Sequence, residues 1–409
     1  MTSMLSVLLT VACLVFLGAL FFAVARASAR TARIVWLTVF AVVLGSAVTM
    51  MGAHAFLSKW SFRGDSTRYG LLQLIDGTAE RPFVFRRLAP DIVGYAADMA
   101  QKHLSRATLD GLVNTSRLVH YRGFTGIDVE SWSERKAVAV HIAFILFWSC
   151  LFGTYFVGIA LLLTVGKCST LEAIVTSAIG LALVPLMFVE GGYLYDASEL
   201  LLLSTVILLA FRGYYLLLPP LVLLMAINKE SALLAVPPLF PIIARRSGWK
   251  IAGVVTGLLT LVGLAWFLYI RARYAASPGM DRETWIAYNF AFWTNLKNYF
   301  RFNGLYSPVL PAPRGANVII LLLLSFPLLK GWAVSRSDVR LATIISAAIA
   351  VPLFLTSCYG DEIRNLSMIF PYLFLICTGG VREMMKPDNG ETCTRQDVMP
   401  PTPQPRVSK

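Results

Sequence analysis

Residues 137–164 read AVAVHIAFILFWSCLFGTYFVGIALLLT, an unbroken run with no Asp, Glu, Lys or Arg, held between Glu134-Arg135-Lys136 and Lys167. A helix rises about 1.5 Å per residue, so roughly 20 apolar residues cross the hydrocarbon core of a bilayer. The run is long enough to cross and has no polar face to turn toward water. Similar runs recur at 4–26, 34–57, 170–189, 197–211, 214–228, 231–244, 250–270, 316–333, 340–358 and 366–381, which makes about eleven predicted spans. Those at 197–211, 214–228 and 231–244 are short. Pro219, Pro220, Pro237, Pro238 and Pro241 predict kinks or breaks there.

Composition agrees. Of 409 residues, 57% are hydrophobic and 14% charged, and the mean hydropathy is +0.67. Soluble domains carry about 25% charged residues. The deficit excludes a soluble globular enzyme, a disordered chain and a nucleic-acid-binding domain of the usual kind. The net charge of +13 is therefore assigned to loops at a membrane surface, with membrane lipids and no nucleic acid as partners. Cys13, Cys150, Cys168, Cys358 and Cys377 lie in or beside apolar segments and Cys393 in the tail. They read as small core residues, with no disulfide framework and no metal-ligand spacing.

The first segment ends in Ala27-Ser28-Ala29, as a cleavable signal would. However, no Lys or Arg precedes it and its apolar core is too long. It reads as a retained span with its N-terminus outside. Alternation then gives the cytoplasmic connections Arg26, Arg30, Arg33, Lys167, Arg212, Arg245, Arg246, Lys250, Lys330, Arg336 and Arg340 against one acid, Asp338. The short external connections hold Glu190, Asp196, Glu199, Glu230, Asp361 and Glu362 against Lys229 and Arg364. This is the asymmetry of the positive-inside rule, blurred by the basic loop 271–315. The expected layout is an all-α membrane domain over 1–382, with extracytoplasmic loops at 58–136 and 271–315, and a Pro-rich disordered cytoplasmic tail over 383–409.

The acid-rich clusters all fall on the external side. Asp65, a few residues beyond a membrane exit, is placed for a general base that takes a proton from an acceptor hydroxyl. It is equally placed to cap the amphipathic helix that follows. In Arg81-Pro82-Phe83-Val84-Phe85-Arg86-Arg87, arginines alternate with aromatics, which suits either phosphate binding or plain interfacial anchoring. Asp196 and Glu199 share a helix face; they either orient a sugar or acceptor hydroxyl or merely favour the helix dipole. Asn228-Lys229-Glu230 puts charges in a very short turn between apolar spans, where ionisable groups carry function by default unless they snorkel to the interface. Tyr359-Gly360-Asp361-Glu362-Ile363-Arg364-Asn365 again gathers charge in one turn. Arg364 is its candidate phosphate ligand, with an internal ion pair to Glu362 or Asp361 as the alternative. The aromatic-basic stretch within 271–315 suits the headgroup plane.

Four of these features together resemble the GT-C superfamily of integral-membrane glycosyltransferases. They are Asp65 early in a large first external loop, Arg86-Arg87-Leu88-Ala89-Pro90 later in it, the Asn228-Lys229-Glu230 turn, and Glu362-Ile363-Arg364-Asn365 before the last helix. Asp65 is followed by Ser where many members pair two acids, and a short tail replaces their soluble C-terminal domain. The resemblance implies a GT-C-like fold in a bacterial inner membrane, with the active site facing the periplasm. The implied partners are a polyprenyl-phosphate-linked sugar and a glycan or lipid acceptor. Asp65 would be the base. Arg364, with Lys229 or Arg86, would hold the phosphate, and Asp196, Glu230 and Glu362 would orient substrate. It leaves a divalent metal open and names no cofactor. The rival readings are a transporter or flippase of a lipid-linked or small anionic substrate, and a non-catalytic subunit of envelope polysaccharide assembly.

Overall fold

Apolar stretches too long for any loop must satisfy their backbone internally, and the chain does so with helices. The computed structural model describes residues 29–60, 62, 66, 68–113, 133–188, 192–280, 284–303, 312–313 and 315–386. The predicted first span, Asp65 and the tail beyond 386 lie outside the described residues. In chain order the helices are α1 (Ala29–Trp60), α2 (Leu71–Asp76), α3 (Leu88–His103), α4 (Arg106–Val113), α5 (Glu134–Leu161), α6 (Thr170–Ala182), α7 (Tyr195–Arg212) and α8 (Leu218–Asn228). They continue as α9 (Leu239–Ser247), α10 (Trp249–Arg273), α11 (Ile286–Thr294), α12 (Val318–Val334), α13 (Ser337–Ser357) and α14 (Phe370–Met384). Extended structure among the described residues is confined to Phe302–Asn303 paired antiparallel with Ala312–Pro313, plus one isolated bridge between Arg81 and Gly279.

Among the described residues six stretches are long and apolar enough to cross a membrane: Ala29–Leu57, Glu134–Gly166, Thr170–Phe188, Trp249–Arg273, Ser337–Ser357 and Ile363–Met384. The chain is thus a helical, multi-pass membrane protein. Tyr215–Asn228 and Val318–Val334 are apolar but shorter, and α7 carries Asp196, Glu199 and Arg212 among its 18 residues. The region predicted as a third short span is split. A 3₁₀ segment, Glu230–Ala235, leads through Pro237 and Pro238 into the nine-residue α9, because proline denies the backbone a donor and clashes with the preceding turn.

Local signals set the helix ends. Ser133 accepts the Lys136 N–H at the start of α5. Ser169 and Glu172 form a capping box at α6. Gly213 closes α7 at φ +79°, where a Cβ would lie 2.5 Å from Arg246 Nε.

Side-chain contacts sort the helix ends into two groups. At one end of the bundle the start of α7 meets the end of α8 through Ser198 and Asn228, 2.6 Å apart. At the other, Arg246 donates to the Phe211 carbonyl at 2.9 Å, Tyr215 bonds Ser247 at 2.7 Å, Arg245 donates to Ser337 at 3.0 Å and Arg382 reaches the Gly166 carbonyl at 2.5 Å. The core lies between. Phe56, Phe147 and Phe188 lock α1, α5 and the turn after α6, with Phe56 and Phe147 ring centroids 4.2 Å apart.

Helix α12 rides on α14 at backbone distance. A Cβ on Gly331 would lie 1.8 Å from the Ile376 carbonyl oxygen, and one on Gly380 1.8 Å from that of Pro327. Small residues are what allow membrane helices this close. Gly331→Ala and Gly380→Ala should therefore each lower stability by about 2 kcal/mol or more, since backbone cannot move aside as a side chain can. Gly253→Ala, on α10 where a Cβ meets nothing within 4 Å, should be neutral or stabilising through helix propensity. Thermal unfolding of the three variants in detergent checks this contrast, and equal melting temperatures would refute the close packing.

Candidate functional site

Helix α7 begins on a turn that Asp196 closes, its Oδ2 accepting the Tyr193 N–H at 2.8 Å. That turn stacks Tyr193 on Tyr195 with centroids 5.3 Å apart and planes 4° from parallel. Two guanidinium groups bracket the stack. Arg86 lies 4.7 Å from the Tyr195 ring centre, and Arg364 4.6 Å from that of Tyr193. Cation–π attraction of this kind is strongest where water is excluded.

Arg86 is brought in by the short 3₁₀ turn Phe83–Phe85. Its fork grips Glu230, Nε to Oε2 at 3.0 Å and Nη2 to Oε1 at 2.6 Å, while Nη1 donates to the Tyr195 hydroxyl. Its neighbour Arg87 has a different task. It donates to the Leu74 and Ile75 carbonyls at 2.5 and 3.1 Å and pairs with Asp91, so it closes the end of α2. Of the two adjacent arginines, only Arg86 joins the cluster.

Lys229 stands at the end of α8, where Asn228 is tied to α7 through the Tyr195 carbonyl at 3.0 Å. Its ammonium donates to Glu199 Oε2 at 2.6 Å and lies 3.8 Å from Asp196 Oδ1. Ser231 donates to the other Glu199 oxygen at 3.0 Å. Arg364, on the 3₁₀ segment Ile363–Ile369 before α14, completes the group. Its Nη1 is 3.5 Å from Asp196 Oδ1 and its Nη2 donates to Glu362 at 3.3 Å. Arg364 is only 5% exposed, yet its Nε and Nη1 have no hydrogen-bond acceptor, and Asp196 Oδ1 has no donor. A small cavity of about 10 Å³ abuts Glu199, Lys229 and Ser231, room for a single water.

Six predicted site residues thus converge: Arg86, Asp196, Lys229, Glu230, Glu362 and Arg364. Asp65 lies outside the described residues. For Arg364 the internal ion pair is formed, but its partners are Glu362 and Asp196. Sequence reasoning gave no role to Tyr193, Tyr195, Ser198 or Ser231. The Tyr-x-Tyr spacing just before the α7 acids was the available signal. It also left out Asn289 of α11, which donates to the Leu355 and Cys358 carbonyls at 2.9 and 2.6 Å and accepts the Gly360 N–H at 2.9 Å. That amide pins the turn carrying Glu362 and Arg364. Gly315, at φ +55°, sits against the Asp361 carboxylate so closely that a Cβ would fall 1.9 Å from it.

Compared with models of known protein families and with curated proteins, the chain matches none. The chemistry must be read from the cluster itself. Among the described residues no group of three or more His, Cys, Asp or Glu is placed to hold a metal ion. What the cluster offers is three cations held by carboxylates, with idle guanidinium donors facing inward.

The Arg86–Glu230 pair is the most testable element. Burial disfavours charge on Glu230, but the Arg86 guanidinium outweighs it and holds the carboxyl below its usual value of 4.5. Burial likewise opposes the Arg86 charge, and Glu230 together with Tyr195 overcomes it, so that arginine stays charged throughout. Arg86→Met should cost about 3 kcal/mol by stranding Glu230, and Arg86→Met with Glu230→Leu should cost less than that single change. Because the folded-state pKa of Glu230 is depressed, the pair's contribution is complete above the ordinary glutamate value and is lost as pH falls through the lower one. The stability gap between wild type and Glu230→Gln should therefore hold steady from about pH 8 to 5 and close below about pH 4.5. A gap that changes between about pH 6 and 8 instead would assign the titration elsewhere.

Proposed function

We propose that the protein is an inverting membrane glycosyltransferase of GT-C-like architecture with eleven spans. It moves a sugar from a polyprenyl-phosphate donor to an envelope glycan or lipid acceptor on the periplasmic side of a bacterial inner membrane. In this topology the N-terminus is outside and the tail cytoplasmic. The observation that carries the reading is Arg364, a buried guanidinium whose Nε and Nη1 lack acceptors, facing the same Asp196 oxygen as Lys229 and set across the Tyr193–Tyr195 stack from Arg86. Such donors suit a phosphate that gains charge as a glycosyl bond breaks, and they act more strongly where water is excluded.

In this mechanism the acceptor hydroxyl attacks the anomeric carbon and passes its proton to Asp65. The carbon–oxygen bond to phosphate breaks with inversion, and the bonding electrons leave on the phosphate oxygen. Arg364 receives that oxygen, assisted by Arg86 and Lys229. Asp196, with its side chain 2% exposed, holds Lys229 and Arg364 in place. Glu230 and Glu362, 25% and 16% exposed, present carboxylate edges to sugar hydroxyls.

Complementation tests the reading in a strain deleted for the gene, with expression matched to wild type and the envelope glycan profiled by mass spectrometry. Asp65→Asn and Arg364→Gln should each leave the glycan short by one sugar and let the lipid-linked donor accumulate. In a membrane assay Arg364→Gln should lower the turnover rate by roughly a hundredfold, the scale for loss of one preorganised donor to a developing oxyanion. A wild-type glycan from Asp65→Asn would remove Asp65 as the base, and one from Arg364→Gln would remove the phosphate role.

A further inference from the structure

The end of the bundle opposite the charged cluster carries a second constellation, which the transferase reading does not use. Helices α7, α9 and α13 meet there with Arg212, Arg245, Arg246, Arg336 and Arg340, and α10 begins beside them with Trp249 and Lys250. The acid among them is Asp338, whose side chain is 2% exposed. Arg336 clasps it with Nε at 3.1 Å and Nη2 at 2.6 Å, and Arg245 Nη1 stands 3.6 Å away while donating to Ser337 at 3.0 Å. Arg246 is spent on the Phe211 carbonyl. Asp338 thus orients two guanidinium planes without neutralising the patch. The remaining nitrogens of half-exposed Arg245, with exposed Arg212 and Lys250, are left on the surface.

The rim of this patch is apolar. Leu216 is 92% exposed, Trp249 71% and Tyr214 54%, and Leu217 joins them on the turn between α7 and α8. A soluble anion would gain nothing from such a rim. A phospholipid uses both parts: its phosphodiester meets the guanidinium groups, its acyl chains lie on leucine, and tryptophan sits at the headgroup level. All these residues stand at helix ends, which is where headgroups lie.

We infer that the junction of α7, α9, α10 and α13 is a binding site for the headgroup of an anionic phospholipid, built on the Asp338-oriented arginines. The inference is independent of the transferase reading and of which way the protein faces in the membrane.

The test uses full-length protein purified in a neutral detergent, with native mass spectrometry and thermal unfolding after addition of phosphatidylglycerol or phosphatidylcholine. Wild type should retain phosphatidylglycerol in preference to phosphatidylcholine and gain melting temperature only from the former. Combining Arg212→Gln, Arg245→Gln and Lys250→Gln should weaken phosphatidylglycerol retention at least roughly tenfold, since each basic residue near a headgroup contributes to binding. Removing three exposed bases elsewhere (Arg68→Gln, Lys102→Gln and Arg106→Gln) should leave retention unchanged. The inference falls if wild type holds both lipids equally, if the two triple variants behave alike, or if glycerol phosphate displaces the lipid, which would mark a site for a free phosphate.

Discussion

One carboxylate holds the charged end together. Asp196 Oδ2 closes the turn that starts α7, while Oδ1 faces both Lys229 and Arg364 at 3.8 and 3.5 Å. A buried charge without a partner costs several kcal/mol; removing Asp196 leaves Lys229 to Glu199 alone and Arg364 to Glu362 alone, and removing both cations would strand the acid. Three segments far apart in the chain are thereby forced to one point: the start of α7, the end of α8 and the 3₁₀ turn before α14. Arg86 adds a fourth through Glu230 and Tyr195.

Those contacts are uneven in quality, and the unevenness bears on chemistry. Lys229 to Glu199 and Arg86 to Glu230 are short, well-made bonds. Asp196 to Arg364 is an ion pair too long for a hydrogen bond, with donors and acceptor both left idle. Idle buried donors are costly, so this is where the network loses least by accepting an oxyanion. The stacked tyrosines steady both guanidinium groups whether or not a ligand is present. Asn289 does the same for the backbone of the 359–365 turn.

Much of this was legible from residue order. Long runs without charge dictate helices, and the six described stretches able to cross a membrane all coincide with predicted spans. The residues of the candidate site other than Arg86 were visible as charges at span ends, since such charges are expensive unless paired. Which charge pairs with which was not legible. Arg86 and Arg87 are neighbours with the same chemistry, yet one joins the cluster and the other caps α2, because that choice depends on how the 83–87 turn meets the end of α8. Similarly, the sequence offered Glu362 or Asp361 as partner for Arg364; Glu362 is one, and Asp196 is the other because the bundle places the start of α7 beside the turn before the last helix. Asn289 lies in a stretch read for its aromatics, and its role rests on a tertiary contact with carbonyls some 70 positions away in the chain.

The break after α8 explains why the site is where it is. Lys229 is extended, at φ −160°, and the chain continues as a 3₁₀ turn that reaches helix α9 only after two prolines. Irregular backbone of this sort, in an otherwise apolar stretch, survives only where protein covers it. The cover comes from the segment between α2 and α3, whose Arg87 N–H donates to the Ile227 carbonyl at 2.8 Å and whose Arg86 fork takes Glu230. A continuous helix through 218–247 would have met its own backbone needs and had no use for that segment. Breaking it leaves carbonyls unmet and sets Lys229 and Glu230 at the break, and meeting them draws in Arg87 through its backbone and Arg86 through its side chain, of which Arg86 joins the cluster. The same interruption that shortens the span therefore assembles the site.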